Sequence, residues 1–341
     1  MRFWGLYLVL LGFLGGQAQG QTYRVVFYNV ENLFDTKDDP FTKDEEFTPA
    51  GAKHWTERRY QEKLSHLAEA LEKTGGKELP AFIGLAEVEN RTVVNDLVNQ
   101  PGLRAGAYRI VHQDSPDARG IDVAFLYRPA AFRLLDTAIF KVTFPQDTTL
   151  KTRDILYVSG VAGKETLHFL VCHFPSMYGG EAKSEWKRVR AAYIVRQKVD
   201  SIRNADPGAK VIIMGDLNGK ANTEAQKEMG VQSSAQAEIQ PGGLYNTGSY
   251  LLYEGYGSYR YRGKWETLDH IIVSGTLLQG KRRSLQAEKK LTVFSAPFLL
   301  EEDQKYSGYK PLPTYRGPLY YGGYSDHLPV YLDLFRGKRK N

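Results

Sequence analysis

Residues 210–218, Lys-Val-Ile-Ile-Met-Gly-Asp-Leu-Asn, end an apolar run in a carboxylate and a carboxamide two positions apart. Val211 to Met214 has the continuous apolar character of a strand covered on both faces, and Gly215 is read as letting the backbone turn. On an extended chain Asp216 and Asn218 point the same way. Such a pair suits a hard cation and a phosphate: the acid supplies charge, the amide supplies donors and a neutral acceptor. Alone, Asp and Asn after a strand read first as a turn. The pattern recurs, however. Residues 23–28 lead into Asn29 and Glu31, 81–86 into Glu87, and 166–172 into His173; Asp269 lies in the run 268–273, and Asp326 and His327 precede 328–334. A folded sheet gathers strand ends, so one site explains these residues more economically than a series of unrelated turns. Oxygens from Glu87, with some of Glu31, Asp216 and Asp326, suit Mg²⁺, Mn²⁺ or Ca²⁺. The single cysteine and the lack of a His-x-x-x-His pair speak against zinc. His327 could work with Asp269 as a histidine–carboxylate pair, which raises the imidazole's basicity and fixes its tautomer.

The elements that must position these residues are legible in outline. Tyr60, Leu64, Leu67, Ala68 and Leu71 recur at helical spacing after Thr56, closed by Gly75 and Gly76. Strands are expected at 108–112, 121–127, 132–140, 155–161 and 166–172, a long helix at 181–203, and a final strand at 328–334. Two Gly- and Tyr-rich stretches, 242–262 and 306–324, read mainly as loops. Helices separate strands in the first third and strand runs dominate elsewhere, which predicts one α/β domain with at least two sheets.

The chain has 341 residues, 42% hydrophobic and 25% charged, ordinary for a globular protein with a sizeable core. Residues 1–20 carry Arg2, an apolar run and small residues, and read as a secretory signal peptide. Secreted or periplasmic localisation is therefore expected. No stable membrane span is expected, because the apolar run is short and no later one is longer. Cys172 is the only cysteine, so no internal disulfide is possible. The formal charge is +6, but four basic residues fall in 336–341, so the high pI describes a basic tail rather than a basic surface. That tail reads as a frayed terminus, with nucleic-acid contact the alternative.

Five short motifs carry a resemblance: Asn-Val-Glu-Asn-Leu-Phe-Asp (29–35), Arg-Gly-Ile-Asp-Val-Ala (119–124), His-Phe-Pro-Ser (173–176), Gly-Asp-Leu-Asn (215–218) and Ser-Asp-His (325–327). In this order they resemble the endonuclease/exonuclease/phosphatase superfamily, and most closely a bacterial secreted branch. The resemblance implies an α/β four-layer sandwich of two mixed β-sheets flanked by helices, deoxyribonuclease I-like, as a catalytic domain over 21–335. It implies Glu87 as principal metal ligand, with Glu31 and Asp326 in the metal network, and Asn29 supporting the metal and phosphate. Asp216 would orient or deprotonate water, Asn218 hold that water or a phosphate oxygen, and His173 donate to the phosphate or leaving group. His327, braced by Asp269, would contact the phosphate or act as acid/base.

Other residues have two readings. Arg119 is a phosphate clamp or a solvated arginine, with Asp122 as its partner in a strand. Ser176 is a substrate contact or a turn hydroxyl. Glu89 is a helix N-terminal acid before a second ligand, and His54, His66, His112 and His168 have ordinary roles. Cys172 is a small buried side chain. Tyr306, Tyr309, Tyr315, Tyr320, Tyr321 and Tyr324 stack on bases or pack beneath a loop. The expected activity is Mg²⁺-dependent hydrolysis of nucleic-acid phosphodiesters, DNA or RNA, by an exported monomer with no inferable protein partner. A sphingomyelinase-like phospholipid phosphodiesterase, an inositol or sugar phosphate phosphatase and an inactive scaffold are the alternatives.

Overall fold

The computed structural model describes residues 22–234, 236–280 and 284–336. The expected signal peptide and the tail beyond Arg336 lie outside them, while Arg336 itself closes the last strand opposite Leu285. The strands are β1 (Thr22–Leu33), β2 (Phe82–Val88), β3 (Arg109–His112), β4 (Asp122–Tyr127), β5 (Arg133–Phe140), β6 (Ile155–Ala162), β7 (Glu165–His173) and β8 (Lys210–Asp216). They continue as β9 (Val231–Ser233), β10 (Leu244–Asn246), β11 (Tyr259–Tyr261), β12 (Lys264–Glu266), β13 (Asp269–Ser274), β14 (Leu285–Ala287) and β15 (Thr292–Val293). The last are β16 (Leu300–Glu302), β17 (Tyr309–Pro311), β18 (Tyr315–Arg316), β19 (Leu319–Tyr320) and β20 (Val330–Arg336). The helices that matter here are α1 (Glu57–Gly75), α2 (Arg91–Val98), α3 (Pro101–Arg104) and α4 (Glu181–Ala205).

Two mixed sheets form the centre. The first runs β14-β20-β1-β2-β4-β3, with β15 also on β20; the second runs β5-β6-β7-β8-β13-β10-β9. The layering follows from side-chain alternation. In β8, Ile212 and Met214 enter the core shared with the first sheet, while Val211 and Ile213 pack with Ala192, Val195 and Val199 of α4. Strand β8 is therefore covered on both faces, as its unbroken apolar run requires. Strand β20 alternates instead: Val330, Leu332 and Leu334 are buried, and Asp333 turns outward to pair with Arg24 at 2.7 Å. The stripe Leu64, Leu67, Ala68 and Leu71 holds α1 against the first sheet. The order is helix, sheet, sheet, helix, the four-layer sandwich that the motifs imply.

Register then places the polar residues. Strands β7 and β8 are parallel with His173 opposite Asp216, and antiparallel β13 sets Asp269 opposite Asp216 as well. In the first sheet β1 and β2 are parallel with a register shift between Asn29 and Leu33, around Glu31, and antiparallel β2 and β4 have one between Ala86 and Val88, at Glu87.

Two expectations change. Gly215 does not turn the chain. It sits inside β8 between Cys172 and His270, where a Cβ would press on the Cys172 carbonyl oxygen and Cβ. The stretch 306–324, expected as loop, contains β17 and the β18–β19 pair, so its tyrosines are mounted on short hairpins. Gly84 also marks a close approach, but there an added Cβ would meet Met214 Sδ at 2.8 Å, the flexible end of a side chain. Gly215→Ala is expected to cost at least about 3 kcal/mol, because backbone blocks the methyl, and Gly84→Ala only about 1 kcal/mol. Denaturant unfolding of both variants checks this; equal losses would remove the distinction.

Candidate active site

Asp216 is the meeting point. Its Oδ2 accepts a hydrogen bond from Asn29 Nδ2 at 3.0 Å, which joins the two sheets, and its Oδ1 accepts the Asn218 backbone N–H at 2.8 Å. The Nε2 atoms of His173 and His327 lie 3.7 Å and 3.9 Å from Oδ2. His327 Nδ1 is 2.7 Å from Asp269 Oδ2, and Ser258 donates to the same oxygen at 2.5 Å. The structure thus brings Asn29, His173, Asp216, Asn218, Asp269 and His327 together, all nearly buried.

The local geometry is not the extended alternation expected. Glu31, Asn32, Glu87 and Asn218 have φ of +51°, +53°, +64° and +47°. Left-handed backbone costs about 1 kcal/mol or more in each non-glycine residue. At Asn218 it closes an Asx-type turn on Asp216, and the amide side chain donates to Phe174 O at 3.0 Å. At Glu31 it directs the carboxylate to the N–H groups of Thr314 and Tyr315, at 2.7 and 2.9 Å. Glu87 Oε2 accepts the Asn32 N–H at 3.0 Å, and its Oε1 lies 3.9 Å from His173 Nε2.

Electrostatics divide the site. Burial raises the Asp326 carboxyl to about 7, and the charges of Glu31 and Glu87 add to the effect despite His327 and Lys63. Burial likewise raises Glu31, with Glu87 adding and Lys63 opposing. Three carboxylates that repel one another, all hard oxygen donors, fit a divalent cation of the Mg²⁺ type. The set Asp216, Asp269 and His327 is also compact, its ligand atoms within 4.8 Å of one another. There, however, His327 Nδ1 is spent on Asp269, so that set reads as an acid–base pair. Burial works against the His327 cation, but Asp269, Asp326 and Asp216 outweigh it and hold His327 well above the usual histidine range. Burial and then the charges of Arg153, Arg119 and His327 push His173 well below that range, and its buried Nδ1 has no partner. Asp216, raised to about 7 mainly by burial, stands between a neutral and a cationic imidazole.

Some expected residues stand apart. Arg119 is half-exposed, 3.7 Å from Asp117, and does not pair with Asp122. Asp122 instead takes the Ser115 N–H at 2.8 Å and faces His112 Nε2 at 3.2 Å. Ser176 is exposed, its Oγ accepting the Tyr178 N–H at 3.4 Å. Asn90 caps α2, while the Glu89 carboxylate accepts the Asp35 N–H at 2.6 Å, so Glu89 is not the helix's terminal acid. Sequence reasoning missed Arg153, which ties Asp117 at 2.9 Å to Phe174 O at 2.6 Å, and buried Lys63, which donates to Thr314 Oγ1 and Tyr324 O. It also missed Tyr259, whose ring lies 4.8 Å from that of His327, and His270, 2.8 Å from Gly219 O behind the Asp216 turn. A buried basic residue on an amphipathic helix is the one available signal, at Lys63. A cavity of about 610 Å³ lined by Arg24, Gly76, Arg128 and Asp333 contains none of these residues.

A family model described as Endonuclease/Exonuclease/phosphatase family matches residues 24–336. The chain belongs to that family. It is accordingly a hydrolase of phosphoester bonds. Among solved structures, it is similar to an endonuclease/exonuclease/phosphatase family protein of Bacteroides thetaiotaomicron, with TM-score 0.56, 14% identity, and 94% of this chain and 96% of that one covered. The human Nocturnin catalytic domain with bound sulfate anion gives TM-score 0.53 and 19% identity, over 92% and 94%. D. rerio TDP2 complexed with single strand DNA product gives 0.55 and 15%, over 92% and 98%. At these identities the likeness establishes the fold. No curated protein matches the chain. In this family member the crowding at Asp326 is a cost carried in the absence of a cation. Asp326→Asn is expected to raise the melting temperature of EDTA-treated protein by roughly 2 °C or more while shrinking the rise that Mg²⁺ produces. Thermal unfolding with and without Mg²⁺ checks it; a lower melting temperature in EDTA would contradict the repulsion.

Proposed function

We propose that this family member is an exported, divalent-metal-dependent phosphodiesterase whose substrate is nucleic acid, cleaved by in-line attack of water. The observation that carries the reading is buried Asp216, clasped by Asn29 and the Asn218 N–H and flanked by His173 and His327, beside the Glu31, Glu87 and Asp326 carboxylates. A phosphodiester resists attack because it is anionic, so donors and positive charge must meet the charge that develops on its oxygens. Glu87, Glu31 and Asp326 would hold Mg²⁺ or Mn²⁺, which when bound supplies Lewis-acid neutralisation of that charge.

The chain's own residues would do the rest. Asp216 Oδ2 orients water and takes its proton; a carboxyl raised to about 7 is a better base than an ordinary one. His327, kept cationic by Asp269, donates from Nε2 to a phosphoryl oxygen or to the departing one. Neutral His173 donates from Nε2, and Asn29 holds Asp216 in the orientation this requires. Nucleic acid is favoured as substrate by the TDP2 structure, which carries a single strand DNA product. Export rests on the signal-like residues 1–20.

Plasmid DNA, RNA, sphingomyelin vesicles and a bis-aryl phosphodiester should be incubated with the purified protein in Mg²⁺, Mn²⁺ or EDTA. Nucleic-acid cleavage that EDTA abolishes and Mg²⁺ or Mn²⁺ restores is expected, and cleavage persisting in EDTA would sink the metal-dependent reading. Glu87→Ala and His327→Ala should each lower kcat/KM by about 10²- to 10⁴-fold, and a wild-type rate in either overturns its role. N-terminal sequencing of the protein from periplasm or medium should begin near Gln21; full-length chain retained in the cytoplasm would exclude export.

A further inference from the structure

Beside the reaction centre lies an open cleft of about 300 Å³ whose lining includes Tyr259, Arg262, Lys305, Tyr306, Lys310 and Asp326. Asp326 and Tyr259 belong to both places, so the cleft is continuous with the site on its His327 side. Its walls are the β11–β12 hairpin and the segment joining β16 to β17. Arg260 staples them: its guanidinium donates to Tyr309 O, Ser307 O and Gly263 O at 2.5, 2.7 and 3.2 Å, and lies 3.5 Å from Asp303. Asp303 is also shared by Lys310 at 3.6 Å. The buried Arg260 Nε keeps an N–H with no partner.

With Asp303 committed to that staple, Arg262 and Lys305 have no carboxylate within ion-pair distance among the described residues. Each exposed cation rests on a tyrosine, Arg262 over Tyr261 at 5.2 Å and Lys305 over Tyr306 at 5.3 Å. Arg262 also occupies the hairpin tip at φ +48°, followed by Gly263 at +79°. Asn or Gly would take that first position with less strain, so an arginine there is held against local preference, as at functional sites. Cations over exposed aromatic rings are suited to a phosphate with an attached base or other planar group.

We infer that this cleft binds a second phosphate of the substrate, next to the scissile one on the His327 side, so that the enzyme selects a repeating phosphodiester over one with uncharged flanks. This rests on the phosphodiesterase reading above and deepens it. The test is the double variant Arg262→Asn with Lys305→Gln; Asn removes the charge while tolerating the left-handed backbone. With Mg²⁺, kcat/KM on a single-stranded oligodeoxynucleotide should fall at least tenfold, chiefly through KM, with a shallower dependence on salt. The loss on bis(4-nitrophenyl) phosphate should be at least fivefold smaller, and the melting temperature should hold. Equal losses on the two substrates, or no loss on the oligonucleotide, would overturn the subsite while leaving the phosphodiesterase reading intact. A wild-type protein that cleaves the small diester or sphingomyelin vesicles but no oligonucleotide would overturn the subsite together with the nucleic-acid substrate.

Discussion

The hydrogen bond from Asn29 to Asp216 is the constraint on which the rest depends, because it is made across the two sheets. Face-to-face sheets are held by apolar contact, which is strong but indifferent to small slides. A polar bond at the rim, closed to water, is not indifferent: leaving a buried carboxylate short of a donor costs more than the bond contributes when made. Asp216 therefore fixes where β1 stands relative to β8. His173 and Asp269 follow from register alone, since both face Asp216 in its own sheet. Glu31 and Glu87 follow from β1 and β2. One residue pair thus sets the two halves of the site in a common frame.

The cost of that frame is visible in the backbone. Glu31, Asn32, Glu87 and Asn218 are all left-handed, and all lie at or just past the C-terminal ends of β1, β2 and β8. A regular strand would carry alternate side chains past the rim toward opposite faces. The bulges at Glu31 and Glu87 instead fold both carboxylates back beside Asp326. Such strain persists only where surroundings over-determine it. At Glu31 the surroundings are the paired N–H groups of Thr314 and Tyr315, and beneath them Lys63, which donates to Thr314 and Tyr324. Burial lowers Lys63 to about 8, while Glu31, Asp326 and Glu87 favour its charge. The ammonium is thus embedded in the acid cluster's field, tying α1 to the tyrosine-bearing hairpins.

How much of this was legible in the sequence depends on the range of the interaction. Apolar runs and their polar ends are local, so β8, β13 and β20 were readable to within a residue or two, and Asn29, His173, Asp216, Asp269 and His327 do converge. Gly215 reads locally as a turn, but its reason is the Cys172 carbonyl from a strand more than forty residues earlier in the chain. Sequence proximity pairs Asp122 with Arg119, whereas β3 brings it His112. Arg153 and Ser258 act through partners supplied by other segments, and nothing in their own neighbourhoods announces it; only Lys63 carries a local signal, its place among the buried residues of α1. The six tyrosines of 306–324 had two readings, and they divide. Tyr315 packs 5.9 Å from Trp55 and Tyr324 stacks on His66 at 4.7 Å, while Tyr306, Tyr309 and Tyr321 remain exposed.

That division bears on how a general hydrolytic centre acquires a preference. The residues around Asp216 are buried and held in place by strand ends, so they have little freedom to distinguish what flanks a phosphate. Arg262 and Lys305 are the opposite case, exposed cations on aromatic supports, carried by hairpins that the sheets do not need for their own closure. Yet they are joined to the centre at defined points: Glu31 holds Thr314 and Tyr315, which lead from β17 into β18, and Tyr259 of β11 lies against His327. A change in the position of the 300–324 segment is therefore felt by Glu31 directly, through two hydrogen bonds to its carboxylate. The cleft proposed to select the substrate and the Glu31 carboxylate proposed to hold the metal share one mechanical link, so an outer wall that is displaced also disturbs the acid cluster at the reaction centre.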